Sequence, residues 1–169
     1  MNTYVTSDPH FGHKNIIKYN PKYRQFSSID EMDSSMIASW NSLVKPEDLV
    51  YILGDFAFHK PGKATEIAMQ LNGRKILITG NHDYDMKLVK YKPFIECFEE
   101  ITNYKEIKFN GHKICMMHYP ICEWHNCHHG SIMLHGHLHG KPSGLSKYRA
   151  RDVGFDARTD ATAIAVGGA

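Results

Sequence analysis

The sequence predicts an α/β fold, and three features carry that expectation. Apolar runs of strand length, Thr3–Thr6, Leu49–Leu53 and Arg74–Thr79, alternate with segments of helical periodicity. That strand–helix–strand–helix–strand order is the signature of a parallel βαβ sheet. The second half turns to hairpin patterning, because Tyr104–Phe109 and Lys113–Met117 flank Asn110-Gly111, a pair suited to a type I′ turn. The 169 residues are read as one domain spanning residues 1–169, long enough to bury a substantial core.

Each element has a local reason. The first strand stops at Pro9, which has no N–H to give a ladder. Ser28-x-x-Glu31 is a capping-box pattern and opens a helix with Ile29, Met32, Met36, Trp40 and Leu43 on one face. That stripe is read as core packing. The helix ends near Val44, ahead of Lys45-Pro46. Leu49–Leu53 is apolar throughout, as in a strand buried on both faces. A helix follows over Pro61–Leu71, with proline in its first turn and Asn72-Gly73 as its stop. After the third strand a short helix is expected near Asp85–Tyr91. Beyond the hairpin, Ser131–Leu134 and Ala150–Phe155 read as further strands. The tail over 160–169 is small and weakly patterned, and reads as an edge strand or a disordered end.

Composition narrows the chemistry. A net charge of +2 offers no broad basic surface for tracking a nucleic-acid backbone. No apolar run approaches the ~20 residues of a membrane span, and the N-terminus lacks the pattern of a secretory signal. The expected location is therefore cytoplasmic and reducing, and the four cysteines are read as thiols. Cys122-x4-Cys127, followed by His128-His129, invites a structural zinc reading but matches no compact CxxC pairing. Histidine is the distinctive residue. Seven of the twelve lie between His118 and His139, and histidine serves both as metal ligand and proton carrier.

The strand exits gather metal-competent residues. They are Asp8 and His10; Asp55 after Gly54; Asn81 and His82 after Gly80; His118; and the alternating His135, His137 and His139. Alternation in an extended segment would aim all three of those imidazoles to one side. The set mixes oxygen and imidazole nitrogen without thiolate, a donor mix suited to Mn, Fe, Co, Ni or Zn. Seven plausible ligands among them exceed the needs of one tetrahedral ion, whereas two ions sharing a carboxylate would use all seven.

These blocks resemble the calcineurin-like metallophosphoesterase family. They are Asp8-Pro9-His10, Gly54-Asp55, Gly80-Asn81-His82-Asp83, His118 and Gly136-His137-Leu138-His139, and the resemblance runs from about Thr6 to Asp156. The wider stretches Asp8–Ile17, Trp40-Asn41, Leu53–Ala57 and Trp124 with His128-His129-Gly130 are similar to its small bacterial and phage members. The resemblance implies a two-sheet sandwich flanked by helices in αββα layers. It implies one ion on Asp8, His10 and His139, a second on Asn81, His118 and His137, and Asp55 bridging both. His82 would stand near the leaving group with Asp83 orienting it. His135 falls outside the implied ligand set. Asp152 and Asp156, around Gly154, are read as bracing the metal edge.

The implied activity is hydrolysis of a small phosphate ester, a nucleotide among the candidates, with phosphodiesterase ahead of phosphomonoesterase. Two divalent ions, manganese first, carry +4; Asp8, Asp55 and a bridging hydroxide supply −3, so the centre keeps net positive charge for an anionic substrate. The expected reaction is in-line attack by that hydroxide, with His82 protonating the leaving alkoxide. Substrate contacts are expected from His13, Arg24, Trp124, His128 and His129. The alternatives are a metal-dependent nuclease and a non-catalytic binding module on the same fold. No membrane partner is expected, and the sequence is silent on oligomeric state.

Overall fold

The computed structural model describes residues 1–145, 149–157 and 164–165. Two β-sheets form its centre. The first contains β1 (Thr3–Thr6), β2 (Leu49–Ile52), β3 (Arg74–Ile78), β4 (Glu100–Thr102) and β9 (Ile164–Ala165), in the order β4-β3-β2-β1-β9. The second contains β5 (Lys105–Phe109), β6 (His112–Met116), β7 (Ile132–His135) and β8 (Ala150–Asp152), in that order. Strands β1 to β4 are mutually parallel, and the short β9 runs antiparallel along β1. In the second sheet β5 pairs antiparallel with β6, while β6, β7 and β8 are parallel.

Alternation along the strands makes the layers. Tyr51 and Leu53 face the second sheet, joining Val5, Ile76 and Ile78 against Ile114, Met116, Leu134 and Val153. Val50 and Ile52, on the opposite face, pack with Leu77 beneath the helices. Both faces are buried, which is why this strand reads as an unbroken apolar run. The helix layer consists of α2 (Ile29–Leu43), α3 (Pro61–Gln70) and α5 (Lys92–Ile95), which supply Met32, Met36, Trp40, Ala64, Ile67 and Phe94. Leu43 is exposed and lies off the buried stripe. On the outer face of the second sheet, Trp124 packs with Cys115 and Met133 beside a 3₁₀ turn, Cys127–His129. The expected two-sheet sandwich flanked by helices is thus the observed architecture.

The capping box is displaced by one residue. Ser28 Oγ accepts from the Glu31 N–H, but Glu31 reaches back to the Ser27 N–H instead of that of Ser28. The Asn110-Gly111 turn has both residues at positive φ, 46° and 78°, and pairs Phe109 with His112, so His112 starts the second strand. The helix expected over Asp85–Tyr91 is broken into α4 (Asn81–Asp85), a 3₁₀ turn (Leu88–Lys90) and α5. Lys87 at φ 59° interrupts the first, and Pro93 opens the last. A short helix α1 (Ile16–Tyr19) and strand β4 had no periodic signal, being too short to show one. Of the tail, Ile164–Ala165 pairs with β1, and its other residues lie outside the described ones. Among the described residues no helix is long and apolar enough to cross a membrane.

Parallel pairing sends the exits of β1, β2 and β3 to one edge of the first sheet, and those of β6, β7 and β8 to one edge of the second. A bridge between Ser7 and Gly154 joins the two edges, closed by the Phe155 N–H donating to Ser7 O at 2.9 Å.

Candidate metal centre

Two clusters form where the sheet edges meet. Asp8, His10 and His139 each place one ligand atom within 4.8 Å of the others, as do Asp55, His118 and His137. Asp55 Oδ2 lies 3.5 Å from His10 Nε2 and also 3.5 Å from His118 Nε2, between the two clusters. Asn81 joins the second cluster, its Oδ1 3.2 Å from His118 Nε2, and His137 Nδ1 is equally close to that nitrogen.

The backbone is bent to achieve this. Asp8, His10, Asp55, His137 and His139 all have φ between 51° and 68°. These are left-handed conformations, costly for residues with a Cβ and concentrated at functional sites. His137 and His139 therefore do not converge by extended alternation. Successive left-handed turns carry them into different clusters. His135 ends β7 as a buried residue with its Nδ1 3.1 Å from Gly136 O, and joins neither cluster.

Two glycines permit the close approach. Gly54 has φ 87°, and a Cβ there would lie 2.4 Å from Gly80 N and 2.8 Å from His118 Nδ1. A Cβ on Gly136 would lie 1.9 Å from Ser7 Oγ and 2.3 Å from Asp8 Oδ2. The glycines before Asp55 and His137 thus provide room for the neighbouring exits.

A hydrogen-bonded surround holds the donors. Asp8 Oδ2 accepts the His137 N–H at 3.0 Å. His118 Nδ1 donates to Leu53 O at 2.7 Å, which leaves Nε2 free to ligate. His139 Nδ1 lies 2.7 Å from Asp156 Oδ2, and Asp156 is held in turn by Arg24 and Asn20. Asp152 accepts the N–H groups of Gly140 and Gly154, fixing the loops on either side.

The donors fit divalent cations. Among the described residues the only buried side-chain nitrogen or oxygen atoms without a hydrogen-bond partner are Asp8 Oδ1 and His10 Nε2. They face each other at 3.6 Å, too far for a hydrogen bond. Buried polar atoms normally find partners, and this pair is aimed at one point between them. Electrostatics prepare the same point. Burial pushes the Asp55 carboxyl up, but His10, His118 and the His82 N–H outweigh it and hold the pKa at about 2. Asp8 is likewise held below the ordinary range against its burial by His10, His118 and His139. His137 is pushed down by burial and by His118, favouring the neutral ring that a metal requires.

The other expected site residues fall in different places. His82 is partly exposed; its N–H donates to Asp55 Oδ1 at 2.9 Å, and its Nε2 is 3.9 Å from Asp55 Oδ2. Asp83 does not orient it. Fully buried, Asp83 accepts the N–H groups of Asp55, Phe56 and Gly80 and so ties two exits together. Burial raises its pKa to about 6 against those hydrogen bonds. The carboxylate beside the His82 ring is Asp85, with Oδ2 3.1 Å from Nδ1. The helical turn explains the exchange: residue i+3 shares a face with residue i, whereas i+1 points away.

Arg24 is not a substrate contact. It is 1% exposed and donates to Asp8 O, Pro9 O and Asp156. Trp124 is also turned inward, its Nε1 donating to Ser131 Oγ at 2.9 Å. His128 and His129 are exposed on the 3₁₀ turn. His13 sits beside the centre, stacked on Phe58 at 3.9 Å, with its Nδ1 3.2 Å from that of His10. Phe58, which also contacts the His10 and His82 rings, had no distinguishing signal in the sequence. Asp85 was accessible from its i+3 spacing to His82.

The sequence is similar to known proteins along most of its length. The family profile described as calcineurin-like phosphoesterase matches residues 1–160. An uncharacterised protein of Methanocaldococcus jannaschii is 38% identical over 138 residues, covering 80% of this chain and 68% of that protein. The gene 66 protein of Mycobacterium phage L5 is 29% identical over 188 aligned positions, covering 92% of this chain and 87% of its own. The crystal structure of a protein of unknown function from Aquifex aeolicus superposes with a TM-score of 0.74 at 30% identity, covering 97% of this chain and 95% of that one.

Proposed function

The chain belongs to the calcineurin-like phosphoesterase family, and from that premise we propose that it hydrolyses a small phosphate ester, a nucleotide among the candidates, at a two-metal centre. A phosphodiester is favoured over a monoester. Asp8, His10 and His139 would hold one cation, Asn81, His118 and His137 the other, with Asp55 shared. Manganese is the first choice of ion, from a donor set of carboxylate, carboxamide and imidazole without thiolate. Two cations so held would supply an activated water and neutralise phosphoryl oxygens. The orphaned pair Asp8 Oδ1 and His10 Nε2 is the observation that carries the reading.

The protein's own groups do the rest. Asp55, kept ionised well below neutral pH, supplies fixed negative charge between the clusters. His82 stands at the rim with one ring nitrogen near Asp55 and the other beside Asp85. His82 held there can pass a proton to the departing oxygen, with Asp85 fixing the orientation of its ring. Asp83 acts by holding the Asp55 and Gly80 backbones. His13 backs His10 and is placed to meet substrate at the edge of the centre. The exposed pair His128 and His129 is reserved for the distal part of a larger substrate. A cytoplasmic location accords with the free thiols.

The test is turnover of bis-p-nitrophenyl phosphate and p-nitrophenyl phosphate by metal-stripped protein, with Mn, Ni, Zn or Mg restored and Asp55→Asn as control. Metal-dependent hydrolysis that vanishes in the control supports the proposal, and the ratio of the two rates assigns diester or monoester. Absence of metal binding would overturn it.

A further inference from the structure

A cleft of about 260 Å³ opens directly beside Asn81. Its walls include Thr79, Asn81, Tyr84, Asn103, Met117 and Tyr119. The inner wall is continuous with the metal centre, because the Tyr119 ring packs edge-on against His137 at 4.7 Å and against His118 at 4.9 Å.

The lining chemistry is specific. Tyr84 and Tyr119 are 48% and 38% exposed, so two large aromatic surfaces border the same small space. Neither ring is loose. Tyr84 OH donates to Asn103 Oδ1 at 2.8 Å, and Tyr119 OH donates to Asn81 Oδ1 at 3.3 Å. A tyrosine tethered at its hydroxyl presents a fixed π surface with little entropy left to lose on binding. Met117 adds a polarisable thioether, suited to contact with an aromatic ring.

Asn103 gives the cleft a polar edge. Its Oδ1 accepts both the Tyr84 hydroxyl and the Thr79 hydroxyl. The carboxamide is thereby oriented, and its Nδ2 hydrogens remain for a ligand. No Lys, Arg, Asp or Glu is among the described residues lining the cleft, which disfavours a second phosphate or a charged head group. The volume falls just below the ~300–1,000 Å³ of pockets for drug-sized molecules, enough for one ring system.

We infer that this cleft binds the nucleobase of a nucleotide whose phosphate lies on the metal clusters. The inference rests on the phosphoesterase reading and specifies its substrate class. A base offers a flat π face to the tyrosines and an acceptor edge to Asn103, and it is tethered to phosphate through a sugar. An unsubstituted aryl group would leave Asn103 unused.

The test compares binding of adenosine 5′-monophosphate, uridine 5′-monophosphate and ribose 5-phosphate to the manganese-loaded protein by calorimetry. The three share a sugar phosphate and differ in the base. At least one nucleotide is expected to bind about tenfold more tightly than ribose 5-phosphate, the low end of what a base–aromatic stack contributes. Tyr84→Ala is expected to erase that difference, and Tyr84→Phe, which keeps the ring, to preserve most of it. Equal affinity of all three for the wild-type protein, or a difference that survives Tyr84→Ala, overturns the inference. Should Tyr84→Ala not fold, the zinc-loaded wild type decides by NMR. Magnetisation transfer between tyrosine ring protons and base protons is the expected result, and transfer confined to the ribose is the contrary one. Failure of the phosphoesterase reading registers separately, as lack of metal-dependent turnover of any ester, since these binding measurements require none.

Discussion

Arg24 and Asp156 lie 132 residues apart in sequence and form a buried ion pair, Nε to Oδ1, at 2.6 Å. Their contacts run into the metal centre from both ends. Arg24 Nη2 donates to Asp8 O, and the other oxygen of Asp156 meets His139 Nδ1 at 2.7 Å. Asp8 and His139 belong to the same cluster, so one ion pair positions two of its three members. Asp156→Asn is expected to weaken binding of one of two manganese ions about 10–100-fold, as for removal of a carboxylate behind a ligating histidine. Arg24→Met should destabilise the fold by about 3–5 kcal/mol, because it strands a buried carboxylate. Stepwise manganese titration and denaturant unfolding measure the two effects. Unchanged affinity in Asp156→Asn would show that His139 needs no such partner.

Metal binding should also stabilise the fold. At a hundredfold excess over Kd, a ligand that binds only the folded state adds about 2.7 kcal/mol. For a domain of this size that raises Tm by about 5–10 °C. Scanning calorimetry with manganese and with chelator reads the shift. Asp55→Asn should abolish most of it, since Asp55 Oδ2 lies between both clusters. Identical melting with and without metal would contradict the proposed centre.

The rim histidine makes a separable prediction. His82→Asn should lower kcat on esters with poor leaving groups by about 10²–10⁴. The loss should be much smaller for p-nitrophenyl esters, whose leaving group needs little protonation. Asp85→Asn is expected to lower kcat on those same poor-leaving-group esters, by less than His82→Asn, while leaving manganese binding intact, because Asp85 orients the His82 ring. Asp83→Asn should instead lower Tm, because Asp83 joins three backbone N–H groups across two strand exits. A loss of kcat from Asp83→Asn at unchanged Tm, together with an unaltered kcat from Asp85→Asn, would reverse these assignments.

His13 sets a pH window in the metal-free protein. Burial, reinforced by His10 and His82, lowers its pKa from the ordinary 6.5 to about 4. Below pH 6.5 the unfolded chain takes up a proton there while the folded chain does not. The contribution is therefore complete above about 6.5 and is lost as pH falls through about 4. NMR titration of the His13 ring should give a midpoint near 4, and His13→Asn should flatten the stability curve across that window. A midpoint at the ordinary value would mean that the His13–Phe58 stack does not exclude water.

Much of this was legible in the residues because parallel strands deliver their exits to one edge. Asp8, Asp55, Asn81 and His118 could be selected since each follows an apolar run that ends abruptly. The turn at Asn110-Gly111 and the stripe Met32, Met36 and Trp40 were equally local, set by backbone preference and helical period. Arg24 was expected at the substrate but is buried, because sequence does not reveal which side of a loop an arginine enters. Trp124 was misplaced for the same reason, and it fills the gap above Cys115 and Met133.

By itself the sequence determined the longer elements, their alternation and the inventory of donors, all of which depend on contacts within a few residues. It also determined the family, because ordered blocks of ligands survive as a linear pattern. Spacing alone does not divide the donors between two clusters; the family resemblance implied that division, and the tertiary structure supplies its geometry. That division depends on left-handed turns at Asp8, His10, Asp55, His137 and His139, which leave no trace in periodicity. It depends as well on Arg24 meeting Asp156, and on Tyr84 and Tyr119 bordering one cleft. Such partners lie far apart in the chain, and the energy that joins them exists only once the two sheets have packed.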